Sequence, residues 1–285
     1  MSAARLALKL GLLLAIPGPL ASQDGGGAAS LLGRYDLGSP AARSKLPRSL
    51  DEISGLAVAA DGRLFAHADE RAEIFELDRA TGRIVKRFSL GAPAVRGDFE
   101  AIALAGDRIV LATSDGVLYA GPEGSDGEAV PFTVTRTGAG RSCEVEGMAY
   151  EPAARSLLLA CKTARSRAVH GYLTVFRWSL DRRALATEPA LRVPLSRITG
   201  PLRLAEFHPS ELVRDPVTGH YLVLAARARA LAEVTPDGRL VGGARLRADL
   251  HRQAEGLAIG RDGSLLVADE GAGGRATLTT YVRAR

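Results

Sequence analysis

Five times along the chain a polar or acidic residue opens a stretch in which small and apolar positions alternate, and a turn then leads into a longer, continuous apolar run. The openings read EISGLAV (52–58), DFEAIAL (98–104), EVEGMAY (144–150), HPSELVR (208–214) and QAEGLAI (253–259). Aligned on Ser54, Glu100, Glu146, Ser210 and Glu255, they recur roughly every 45 residues with one longer interval before Ser210, a period that belongs to four-stranded propeller blades. The apolar runs RLFAHADE (63–70), RIVLATSD (108–115), SLLLACK (156–162), HYLVLAAR (220–227) and SLLVADE (264–270) follow turns rich in Gly, Pro and Asp, which is hairpin chemistry. Third strands are expected over 73–78, 116–121, 172–180, 230–235 and 277–283, and fourth strands over 83–90, 129–136, 190–195 and 239–246.

The fifth repeat runs out of chain after its third strand. LLGRYDLG (31–38) is expected to supply the missing one, which removes the exposed edges an open stack of sheets would leave. The expected fold is therefore all-β: a single propeller of five four-stranded blades over 31–285, closed by an N-terminal strand, with six blades as the alternative count. The segment SRITGPLRLAEF (196–207) is too short for a blade and is expected to run over one face of the ring.

The N-terminus changes the picture of where the protein works. Arg5 and Lys9 precede an apolar stretch from Gly11 to Ala21, and small residues follow, so residues 1–22 read as a signal peptide and 23–30 as a flexible leader. Pro17, Gly18 and Pro19 interrupt the apolar stretch, which is short for a spanning helix; an uncleaved anchor is the alternative. The expectation is an exported protein of the periplasm or cell envelope, or a secreted one, with no transmembrane span in the mature chain. Of the formal net charge of +5, two positive charges lie in that signal, and no basic run with interleaved aromatics occurs. Nucleic acid is not an expected partner; an unidentified envelope ligand or protein is, with the chain a monomer. Cys143 and Cys161 sit at one end of a predicted hairpin in an oxidising compartment, where a disulfide or two buried thiols are the open alternatives.

Candidate chemistry comes from the repeat itself. Residues two apart on a strand share a face, so Glu52, Asp98, Glu144, His208 and Gln253 join Ser54, Glu100, Glu146, Ser210 and Glu255 at one end of a central channel. Glu211 breaks the repeat, which has a small residue there in the other blades. Crowded carboxylates need a counter-charge, and oxygen-only donors suit a hard ion, calcium before magnesium. The expected metal ligands are Glu52, Asp98, Glu100, Glu144, Glu146 and Glu255, with Ser54, Asp69, Lys162, His208, Ser210, Arg227 and Asp269 as further ligand contacts. Two other readings stay open: Lys162 and Arg227 closing an internal ring of salt bridges, or a solvated acidic rim. His67, His170, His220 and His251 lack metal-ligand spacing and read as packing or surface residues.

In their order, EISGLA, DFEAIA, EVEGMAYEP with LLLACK, a Ser-containing inner strand before DPVTG, then AEGLAI with LLVADE resemble the SdiA-regulated (YjiK/CarP-like) calcium-regulated β-propeller proteins, and more distantly the phytase-like propellers. The resemblance implies an exported or envelope-associated propeller linked to calcium, with Glu100, Glu146 and Glu255 at the repeated acidic positions. No nucleophile elbow, zinc-protease helix or phosphate loop is present. A binding or regulatory role is the primary expectation, and a calcium-dependent phosphoesterase or esterase-like hydrolase, with no catalytic residues assigned, is the alternative.

Overall fold

The computed structural model describes residues 30–284; the signal and all of the leader before Ser30 lie outside them. Five sheets form a ring. Blade one consists of Ile53–Val58, Leu64–Ala68, Glu73–Leu77 and Ile84–Leu90, and blade two of Phe99–Ala105, Arg108–Thr113, Val117–Pro122 and Thr133–Arg136. Blade three has Cys143–Glu151, Ser156–Ala164 and Tyr172–Ser179, with Ala184–Leu185 and Leu191–Pro194 sharing its outer edge. Blade four has Glu211–Arg214, Tyr221–Ala225, Ala230–Val234 and Leu240–Arg245, and blade five has Ala254–Ile259, Leu265–Asp269 and Thr277–Tyr281.

The second strand of each blade is buried on both faces, and this is why it reads as an unbroken apolar run. In blade one Phe65 packs toward blade two, while its neighbours Leu64 and Ala66 pack toward blade five. Five apolar clusters result, one in each gap between adjacent blades. Small inner-strand residues allow the close approach at the axis: a Cβ on Gly147 would lie 2.7 Å from the backbone nitrogen of Leu212 in the next blade.

The ring is closed by an N-terminal strand, but not by Leu31–Gly38. The closing strand is Ala42–Lys45, which pairs antiparallel with Thr277–Tyr281. Leu32–Arg34 instead forms a 3-10 turn whose neighbours Leu31, Leu32 and Tyr35 plug the gap between blades four and five. The misreading has a plain cause: the closing strand lies on the outer edge of the ring and is polar, whereas the plug is apolar and buried. Glu233, itself buried, fastens the plug by accepting from Ser30 Oγ (2.7 Å) and the Leu32 N–H (3.0 Å), and its other oxygen meets His220 Nδ1 at 2.6 Å.

Two further differences follow local chemistry. The run 129–136 splits at Pro131, which has no N–H to donate to a ladder: Ala129–Val130 pairs parallel with the outer strand of blade one, and only Thr133–Arg136 belongs to blade two. The segment before Ser210 forms the helix Ser196–Leu202, and instead of lying across a face it sinks Ile198 and Phe207 into the cluster between blades three and four. Cys143 and Cys161 form a disulfide with Cα atoms 5.6 Å apart. No helix among the described residues is long and apolar enough to cross a membrane.

Candidate functional site

The acidic positions are presented by one repeated backbone irregularity. In blades one, two, three and five the pairing of inner and second strands shifts register around Ser54, Glu100, Glu146 and Glu255. A bulge leaves one residue outside the ladder and re-aims its side chain, here toward the axis, so that charges from blades two, three and five feel one another. Blade four lacks the shift. Its strand begins at Glu211, opposite Leu224, while the Ser210 N–H donates to the Leu224 carbonyl (2.8 Å) and Ser210 Oγ accepts from the Ala226 N–H (3.2 Å).

The inner carboxylates are arranged around one cation. Lys162, at the end of blade three's second strand, donates to Glu146, which is 3% exposed. Burial works against the ammonium, but the Glu146 hydrogen bond and charge, with the charges of Glu255 and Glu100, outweigh it and raise the Lys162 pKa. One cation does not balance three acids. Burial, then the neighbouring charge of Glu146 and Asp98, pushes Glu100 up to about 9. Burial lifts Glu146 to about 7 against the pull of Lys162, and burial with the charge of Glu146 lifts Glu255 to about 7. The Ser210 hydroxyl works against that rise at Glu255.

A second group of acids sits around blades five and one and has no such cation among the described residues. Glu52 is raised chiefly by Asp69. Asp69 is raised by burial, with Glu70 and Asp98 adding to it, and Glu270 by burial and then by Asp69 and Glu52. Asp69 Oδ1 is buried without a hydrogen-bond partner. Gln253 donates to Glu270. Asp98 accepts from Ser114 Oγ and acts on Glu100 through its charge, as Glu144 acts on Glu146.

The remaining sequence candidates are distributed differently. Asp269 is buried, its Oδ2 on His251 Nδ1 (2.7 Å) and its Oδ1 without a hydrogen-bond partner, and His251 Nε2 meets the Tyr281 hydroxyl (2.6 Å); this chain stitches blade five to the loop before it. His208 contacts the Lys162 carbonyl through Nδ1 (3.3 Å) and Glu206 through Nε2 (3.2 Å). Arg227 is exposed. Among the described residues no three His, Cys, Asp or Glu side chains converge tightly enough to form a ready-made metal cage. The donors nevertheless suit a hard cation in type and charge, and Asp69 Oδ1 is a buried acceptor without a protein partner.

Glu211, which breaks the repeat in sequence, is the buried acid to which the pattern assigned no role. It stands where the other blades carry Gly55, Ala101, Gly147 and Gly256, and its fully buried carboxylate crosses the channel. Glu211 Oε1 accepts from the N–H groups of Leu212 (2.8 Å) and Met148 (3.3 Å), and the Leu56 N–H of blade one also faces the carboxylate. The inner strands of blades three and four are thereby tied at the axis. Burial drives its pKa well up, opposed by those three N–H groups. Glu211 Oε2 and His67 Nε2 are both buried without partners, and both flank Gly55: a Cβ there would lie 2.7 Å from His67 Nε2 and 3.3 Å from Glu211 Oε2. Burial lowers His67 to about 4, so the ring is neutral and donates from Nδ1 to the Ala68 carbonyl (3.1 Å). The signal was available in sequence: one long acid at a position held elsewhere by residues without bulk.

Fold and mouth together define a five-bladed propeller whose channel is acid-lined at one end and sealed at the axis. The chain belongs to the SdiA-regulated family, whose model matches residues 128–272. No curated protein matches the sequence. Among solved structures the chain is similar to Myxococcus xanthus glutaminyl cyclase (15% identity, TM-score 0.56, 87% of this chain and 97% of that one). It is also similar to a PQQ-bound aldose sugar dehydrogenase from Streptomyces coelicolor (13% identity, TM-score 0.51, 86% and 99%). A protein of unknown function from Bacteroides caccae matches over 72% of this chain (16% identity, TM-score 0.42), which spans 64% of that protein's length. At these identities the likeness concerns the fold alone.

Proposed function

We propose that the protein is an exported binding propeller whose acidic mouth takes a hard divalent cation, calcium first, and presents the cation-loaded face to an envelope ligand or protein. The observation that carries the reading is the uneven neutralisation of the mouth. Glu100, Glu146 and Glu255 share Lys162, whereas Glu52, Asp69 and Glu270 press on one another with no cation among them. Bound calcium would supply that missing charge on oxygen donors, with water completing its shell. Glu52, Asp69 and Glu270 would hold it, and Asp98, Glu100 and Glu144 would extend the negative field that attracts it. The disulfide supports an oxidising compartment.

A cation bound only by the folded state raises its melting temperature by mass action. Calcium and chelator titrations of the parent and of a Glu52→Gln, Asp69→Asn, Glu270→Gln variant test the reading. Phosphomonoester and carboxylic ester turnover, assayed in the same samples with and without calcium, tests the hydrolase alternative.

A further inference from the structure

The end of the channel opposite the acidic mouth has the reverse chemistry. There the far ends of the inner strands and the turns after them enclose a cavity of about 1020 Å³, at the top of the roughly 300–1,000 Å³ range of small-molecule pockets. Its floor is apolar and closed. Leu56, Ile102, Met148, Leu212 and Leu257 line it, each no more than 4% exposed, and the Glu211 carboxylate ties the backbones of Leu212 and Met148 together at that level. The cavity is therefore a blind funnel. Higher in the funnel, Val58, Leu104, Tyr150 and Ile259 occupy the same inner-strand position in four blades, and all four are half-buried.

The charges on its rim are unequally committed. Arg63 is held by Asp61, Glu76 and Glu123, and Arg108 on blade two donates to the Ala120 carbonyl and Thr133. Arg214, at the equivalent inner-strand position of blade four, lies 3.8 Å from Glu151, Asp262 is paired with Arg79 at 3.1 Å, and Asp215 is engaged by Thr218 in its own turn. Arg261 and Arg283, both on blade five, line the cavity with no ion pair among the described residues. The uncommitted rim carboxylate, Asp107, is exposed on the blade-two turn. An apolar funnel whose uncommitted cations stand on one side of its lip is complementary to an apolar molecule with an anionic end.

From this we infer that the funnel is a second ligand site, separate from the acidic mouth, that takes a free aliphatic carboxylate with its tail on the apolar ring and its head at Arg261 and Arg283. Each methylene buried should tighten binding roughly three- to fourfold until the chain outgrows the cavity. The full chain at neutral pH is titrated calorimetrically with saturated carboxylates from about eight to about fourteen carbons and with the matching primary alcohols. One-site binding with that chain-length dependence is expected, acids binding about tenfold tighter than alcohols. The Arg261→Ala, Arg283→Ala variant should lose the preference for the acid and keep alcohol binding. Location is read without altering the ring: a nitroxide-labelled carboxylate should broaden the methyl signals of Val58, Ile102 and Ile259 and spare Ile53 and Val145 at the mouth ends of their strands. No saturable binding, alcohols binding as tightly as acids in the parent, or broadening at the mouth would overturn the assignment.

Discussion

Lys162 donates into the carboxylate of Glu146, and the pair is lopsided: the Glu146 side chain is 4% exposed, that of Lys162 27%. The acid has given up water and depends on the ammonium, while the ammonium keeps part of its hydration. Removing the cation by Lys162→Met should cost about 2–3 kcal/mol above pH 7, less than the ~3–5 kcal/mol of a fully buried pair because Lys162 is partly solvated. The cost should shrink toward pH 5, where Glu146, lifted to about 7 by burial, takes up a proton instead. Urea unfolding at the two pH values, with Glu146→Gln in the Lys162→Met background as the rescue, checks this.

The raised carboxylates make stability fall with rising pH. Glu146 and Glu255 lie at about 7 and Glu100 at about 9, all above the ordinary unfolded value. The folded state thus holds protons that the unfolded chain has released, and unfolding free energy drops as pH rises. The contribution is complete below about pH 4. It is lost first through pH 7, with Glu146 and Glu255, and then through pH 9, with Glu100. Glu100→Gln should flatten the later part of the decline. Denaturation midpoints measured across that range should follow this order.

Glu211 should matter through its shape and its acceptor oxygen more than its charge. Glu211→Ala strips the Leu212 and Met148 N–H groups of their partner and opens the seal, an expected loss of about 3 kcal/mol. Glu211→Gln keeps the acceptor and can turn an amide N–H toward His67 Nε2, so it should stay within about 1 kcal/mol of the parent. Gly55→Ala, whose Cβ would meet both orphaned atoms, should cost about 1–3 kcal/mol by overpacking. Guanidinium unfolding of the three variants separates these expectations.

How much of this was legible in sequence depends on whether the information is local. The five inner strands, the apolar second strands and the acidic position repeated at Glu100, Glu146 and Glu255 follow from period and pattern. The closing strand was expected in the right role and the wrong place, because polar Ala42–Lys45 carries no strand signal while Leu31, Leu32 and Tyr35 do. The acids of the mouth look equivalent in sequence. Only the fold shows that Lys162 serves Glu100, Glu146 and Glu255, that Glu52, Asp69 and Glu270 have no cation among the described residues, and that Asp269 Oδ2 is committed to His251. His67 is a buried packing residue, as read from sequence, whereas His220 and His251 are buried members of polar networks, which their spacing along the chain could not reveal.

The N-terminal plug and the closing strand should fail separately. Glu233→Ala releases Ser30, Leu32 and His220 together and should cost about 2–3 kcal/mol. Truncation before Ser39 removes the plug but spares the blade. Truncation through Lys45 also removes four paired residues and should lower the melting temperature much further. Calorimetry of the three proteins orders them.

The central claim, a cation held at the unneutralised side of the mouth, is tested most directly by melting temperature against calcium concentration. The parent should show a saturable rise reversed by chelator, worth about 2.7 kcal/mol at a hundredfold excess over the dissociation constant. Glu52→Gln, Asp69→Asn, Glu270→Gln should abolish the rise, while Lys162→Met, which leaves those three acids intact, should retain it. A parent indifferent to calcium, or a triple variant that responds as the parent does, would contradict the account.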